Sequence, residues 1–137
     1  MSVIQFLKLY AATAAVFFAL DLTWLGVVAR GFYRAQMGHL MRADAQWGPA
    51  LLFYGIYVAA IIVLCVRPGL ERDSMGRAVA MGALFGLAAY AAFDLTSLAL
   101  LKDFPLAGAV VDLAWGTTVT AAVSGASFAI ARALQLS

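Results

Sequence analysis

Three aspartates, Asp21, Asp94 and Asp112, stand inside long apolar stretches of a 137-residue chain, and no lysine or arginine shares those stretches at the same depth. A carboxyl in such surroundings is costly, and its usual employments are holding a cation, exchanging a proton or relaying one. Three phenols, Tyr54, Tyr57 and Tyr90, lie in the same kind of stretch. Trp24 and Trp115 follow Asp21 and Asp112 by three residues, one helical turn, so each indole is expected to stack beside its own aspartate. There its ring face would wall a cation site, or its N–H would satisfy the carboxyl. Both roles are open at the level of sequence. No motif names a reaction.

The elements that must position these groups follow from composition. Hydrophobic residues make up 65% of the chain and charged residues 12%, with a mean hydropathy of +0.95. A soluble domain carries about a quarter charged residues, so the chain is an integral membrane protein, all-α, and a four-helix bundle. A hydrocarbon core of about 30 Å takes roughly 20 helical residues. Four windows satisfy this, Val3 to Ala29, Pro49 to Val66, Ala78 to Leu101 and Leu106 to Ala131, within a single transmembrane domain over residues 1–137. Little is left for a soluble catalytic or nucleic-acid-binding module. The net charge of +2 comes from residues flanking the spans and implies no nucleic-acid partner. The first span is expected to be retained, since its length, Asp21 and the lack of a small-residue cleavage site argue against a secretory signal. Cys65 is the one cysteine, which excludes an intramolecular disulfide and reads as an apolar filler.

The connections differ. Residues Arg30 to Gly48 mix apolar and basic side chains and read as a short interfacial helix. Arg67-Pro68-Gly69 reads as a strong helix stop. Lys102-Asp103-Phe104-Pro105 is so short that spans three and four must be antiparallel neighbours. Basic residues divide almost evenly between the two sides, leaning to cytoplasmic termini by Lys8, Arg67, Arg72, Arg77 and Arg132 against Arg30, Arg34, Arg42 and Lys102.

Depth unites the polar groups. Asp21 precedes Ala29 by eight residues and Asp94 precedes Lys102 by eight, about 12 Å at 1.5 Å per residue. Asp112 follows Pro105 by seven, and Tyr54 and Tyr57 follow Pro49 by five and eight. All four spans thus offer a polar group in one layer. Gly82, Gly86, Tyr90 and Asp94 recur every four residues on the third span, and Asp112, Gly116, Thr120 and Ser124 do so on the fourth. These small-residue stripes are expected to face each other in close helix packing. Thr13, Phe17 and Asp21 share a face of the first span. A weak echo relates Asp21-Leu22-Thr23 to Asp94-Leu95-Thr96, as a parallel duplication of a two-helix unit would.

The set Asp21-Leu22-Thr23-Trp24-Leu25, Phe32-Tyr33 with Gly38, Phe53-Tyr54-Gly55-Ile56-Tyr57, Tyr90 with Asp94-Leu95-Thr96, and Asp112-Leu113-Ala114-Trp115-Gly116 resembles domain-of-unknown-function family 2177 over nearly the whole chain. The resemblance implies a small bacterial membrane protein of four spans, placed in the cytoplasmic membrane, and it implies no activity.

Three classes of function remain at this level. In the first, each aspartate stays protonated and donates to a backbone carbonyl, Thr23, Thr96 or a tyrosine, holding the bundle or a partner subunit together. Such interhelical bonds average under about 1 kcal/mol and make an inefficient glue. In the second and preferred class, Asp21, Asp94 and Asp112, with Tyr54, Tyr57, Tyr90, Trp24 and Trp115, line a pocket that binds or transports a small cationic or lipidic ligand, with proton coupling. In the third, an enzyme acts on a membrane lipid by carboxylate acid–base or metal-assisted chemistry. No metal-binding histidine pair or spaced acidic motif supports the third, and neither a metal nor a cofactor is assigned. His39, the single histidine, sits on a connection. Trp47, Phe32, Tyr33 and Phe104 fall at span ends and read as interfacial anchors. The thin wall of four helices makes a homodimer an expectation for any translocation path.

Overall fold

Local signals at the helix ends set the architecture. Ser2 and Gln5 form a reciprocal capping box that starts the first helix, and the Ser74 hydroxyl accepts from the Arg77 N–H to start the third span. Asp73 and Gln135 adopt left-handed conformations, with φ of 50° and 56°. At each, the next residue's N–H reaches back to a carbonyl five residues earlier, Ser74 to Gly69 and Leu136 to Ala131, which closes a Schellman turn.

Between these signals the chain, described over residues 1–42 and 46–136 in a computed structural model, forms α1 (Val3–Val28), α2 (Arg30–Met37), α3 (Trp47–Glu71), α4 (Met75–Leu100) and α5 (Leu106–Ala133). All but α2 are long and apolar enough to cross a membrane. No strand occurs among the described residues. The protein is therefore the all-α membrane bundle that its composition demands. The short α2 and the turn Gly38–Leu40 occupy the connection read as interfacial, of which residues 43–45 lie outside the described set.

The expected helix stop at Arg67-Pro68-Gly69 is corrected. Helix α3 runs on to Glu71, because a π-helical turn over Ile62–Val66 widens the hydrogen-bond register just before Pro68, whose missing N–H then falls at the junction. Gly69 serves packing instead: a Cβ there would stand 2.8 Å from that of Ala78 on α4. The helix ends two residues beyond Gly69, at the Asp73 turn.

Helix α5 is the centre of the bundle, lying along nearly all of α4, against α1, and against the lower turns of α3. Leu9 and Phe17 of α1, Tyr57, Val58, Ile61, Ile62 and Val66 of α3, and Val119 and Val123 of α5 make the core. Two buried polar pairs cross it, Thr13 with Ser127 at 2.6 Å and Tyr57 with Thr120 at 2.8 Å. The α4–α5 contact is the tightest. A Cβ on Gly82 would meet Ser124 and the Thr120 carbonyl, one on Gly86 would meet the Gly116 carbonyl and Thr120, and one on Gly116 would enter the Tyr90 ring. The two stripes therefore meet in antiparallel order, with backbone approaching backbone as only glycine allows.

Gly86→Val forces this contact open and is expected to cost about 3 kcal/mol or more through overpacking against backbone. Gly76→Ala, where a Cβ meets only the Ser74 Oγ at 3.7 Å, should leave stability unchanged or raise it by about 0.5 kcal/mol. Thermal unfolding of the two variants in one detergent, followed by circular dichroism, checks both.

Candidate functional site

A single polar layer crosses the upper half of the bundle, and the four spans enter it differently. From α1, Asp21 is buried at 4% exposure and is doubly held: Oδ1 accepts from the Trp115 indole N–H at 3.0 Å and Oδ2 from the Tyr54 hydroxyl at 2.9 Å. From α5, Asp112 accepts through Oδ1 from the Tyr33 hydroxyl at 2.8 Å, and that same oxygen of Tyr33 accepts from the Trp24 indole at 3.2 Å. From α4, Asp94 is fully buried beside the Asp112 carboxyl. Among the described residues no donor reaches either Asp94 oxygen, so the only polar group beside this carboxyl is that of Asp112.

The expected pairing of each tryptophan with the aspartate one turn before it is corrected. Trp115 donates to Asp21 on the other helix, and Trp24 reaches Asp112 only through Tyr33. The indoles instead lie on one another, centroids 4.5 Å apart and planes 6° from parallel. A π-helical turn over Trp24–Val28, closed by the Ala29 N–H on the Trp24 carbonyl at 2.7 Å, sets the angle of Trp24. Extra turns of this kind reorient side chains at functional places in helices.

Tyr33 is corrected as well. Helix α2 turns this side chain into the bundle to join Trp24 and Asp112, away from the interfacial role its position implied. Burial, opposed by the Trp24 N–H and reinforced by the Asp112 carboxyl, holds the Tyr33 phenol above its ordinary ionisation range. It therefore remains a donor near neutral pH. The signal in the sequence was its place three residues after a basic residue at the start of a strongly two-faced helix, which gives it an inward side.

Other expectations are placed by the same geometry. Thr23 and Thr96 donate to Ala19 and Ala92 of their own helices, and leave the aspartates to other partners. Tyr57 bonds Thr120 in the core and stacks on Phe85, below the layer. Tyr90 covers Gly116 with its ring and borders the layer. His39 is exposed and shares a 2.9 Å hydrogen bond with the Asp103 carbonyl, tying two connections together at a distance from the carboxyls. Cys65 is buried and free.

Beside the layer lies a cleft of about 390 Å³. Asp21, Asp112, Tyr54, Tyr90 and Trp115 supply its polar wall, and Leu25, Phe53, Ala89 and Phe93 supply the apolar remainder. Leu25 and Phe53 entered the sequence reading only through the family resemblance, and Ala89 and Phe93 were not singled out in it, because apolar residues in a membrane span carry no signal of their own. No cation compensates these carboxyls: among the described residues the one ion pair joins Arg132 to Asp73 at the other end of the bundle. Nor does any trio of histidine, cysteine or acidic residues stand close enough to hold a metal among the described residues.

Residues 6–129 match a family described as predicted membrane protein, DUF2177. The chain belongs to the DUF2177 family. No curated protein and no solved structure matches it. The three aspartates of this DUF2177 protein are unequal. Asp21 accepts through both oxygens and ties α1, α3 and α5 together, whereas Asp94 is buried without a donor and has only the Asp112 carboxyl beside it.

Asp21→Ala is expected to cost about 2–4 kcal/mol, because it strips the Tyr54 and Trp115 donors of their acceptor. Asp94→Ala should fall within about 1 kcal/mol of wild type or be more stable, since it removes a buried polar group without a partner. Melting temperatures of the two purified variants discriminate: equal losses would show that both carboxyls serve the fold alike.

Proposed function

We propose that this protein binds a singly charged organic cation at Asp94 and Asp112, giving up a proton as the cation arrives, and that this exchange is the elementary step of a proton-coupled carrier. One observation carries the reading. Asp112 stands in the wall of a cleft with the fully buried carboxyl of Asp94 beside it, and no basic side chain neutralises the two. In a low-dielectric setting two neighbouring anions repel strongly, and a proton shared between the two carboxyls relieves that repulsion. A cation in the cleft supplies the missing counter-charge and allows that proton to leave.

The remaining groups support this division of labour. Tyr54 and Trp115 fix Asp21 and thereby the spacing of α1 from α5. Tyr33 donates to one Asp112 oxygen and leaves the other available to a ligand. The cleft-facing rings of Tyr54, Tyr90 and Trp115 offer π-faces to a positive charge, which are worth most where water is excluded. The stacked faces of Trp24 and Trp115 cover each other and serve as scaffold.

Protein in lipid nanodiscs, titrated with methylammonium and longer alkylammonium ions in weakly buffered solution, should release about one proton per ion bound, as binding linked to deprotonation requires. Asp94→Asn and Asp112→Asn should each abolish the release and weaken binding by about tenfold or more. Binding without proton release, or release undiminished in both variants, would remove the proposal.

A further inference from the structure

The cleft opens sideways. Helix α3 approaches α4 closely only over its last turns, residues 62–71; above them the two are bridged by Tyr57 stacking on Phe85, and higher still they diverge. Phe53 on α3 and Phe93 on α4 flank this gap, 47% and 57% exposed, and both border the cleft. Phe53 lies six residues inside the start of α3 and Phe93 seven residues before the end of α4. At 1.5 Å per residue these are depths of about 9 and 10 Å, so the gap faces acyl chains rather than head groups.

Resting on the carboxylate-site reading above, we infer that the ligand is a single-chain primary ammonium amphiphile that enters from the bilayer between Phe53 and Phe93. Its head reaches Asp112 and Asp94 while its chain stays in lipid. Three features select this class. The mouth lies within the hydrocarbon, where a chain-bearing molecule is concentrated and a hydrated ion is not. Asp112 and Asp94 together receive only the Tyr33 donor among the described residues, so the head must bring N–H donors as well as charge, which a quaternary ammonium does not. The cleft, at about 390 Å³, is near the small end of ligand pockets, about 300–1,000 Å³, and suits a head with its first methylenes. A phosphate on the same head would meet carboxyls, which disfavours zwitterionic lipids. A second copy of this chain is a poorer occupant. It carries no lysine or arginine within a span at this depth and would leave the acids uncompensated.

The test uses dodecylammonium with a diazirine at the far end of its chain, photolysed with the full protein in nanodiscs and mapped by mass spectrometry. Labelling should fall on the lipid-facing residues of α3 and α4 around Phe53 and Phe93, and drop about tenfold in Asp112→Asn and in Asp94→Ala. Unlabelled dodecylammonium should compete at total concentrations about tenfold below those of methylammonium or dodecyltrimethylammonium. Equal competition by methylammonium would overturn the inference and leave the carboxylate site standing as one for small aqueous cations. Equal competition by the quaternary ion would overturn the demand for N–H donors. Labelling unchanged in both variants, each checked by circular dichroism for a native fold, would overturn the carboxylate site as well. Cross-links joining two copies through the mouth would identify the gap as a protein interface and overturn the inference.

Discussion

In hydrocarbon there is no water to satisfy a stray donor or acceptor, so every polar side chain within the bundle must find its partner in the protein. That constraint explains why α5 is central. Ser127, Thr120 and Trp115, spaced along α5, meet Thr13, Tyr57 and Asp21, linking α5 to α1 and α3 at three levels. Tyr54 then joins α3 to α1 through the same Asp21, and the Tyr10 hydroxyl adds a bond to the Gly55 carbonyl. Polar atoms that would be liabilities in lipid are used as the addresses by which helices recognise one another. Asp94 stands outside this economy, and its isolation is what makes it a candidate for chemistry.

The isolation has a structural cause. Glycine-lined stripes let α4 and α5 approach until Gly86 touches the Gly116 backbone, and Asp94 and Asp112 end the two stripes. An interface built that close brings the two carboxyls together with no side-chain donor from either helix between them. The dispersion energy of many close contacts along α4 and α5 offsets one unfavourable encounter at their upper end. Stability and strain are thus distributed along one pair of helices.

The fold was legible because the membrane makes strong demands: long apolar windows, short polar connections and small residues every fourth position have few alternative meanings. The details that fix the site were less so. Spacing placed Trp24 beside Asp21, yet the indole donates to Tyr33 and stacks on Trp115, since partner choice depends on helix rotation, and a π-helical turn changes that rotation without leaving a mark in composition. Tyr33 resembled an interfacial anchor because a tyrosine at a span end has the same surroundings in sequence whether it faces head groups or the bundle. Pro68 resembled a stop because its effect on a helix depends on whether the register has already widened. Apolar cleft residues such as Ala89 and Phe93 are indistinguishable in sequence from their lipid-facing neighbours.

The widened turn over Trp24–Val28 amounts to one residue more than a regular helix of the same rise would hold. That surplus makes the stretch a buffer for length. Removing one amino acid there would return a regular α-helix of the same rise and leave everything after it facing as it does now, whereas the same removal in an unwidened turn of the span would swing all that follows by about 100° around the helix axis, the angle of one step in a 3.6-residue turn. What the loss of the widened turn would undo is the angle of Trp24, and with it the indole's bond to the Tyr33 hydroxyl and its stacking on Trp115. These five residues are where the first span can give up length without turning the polar layer.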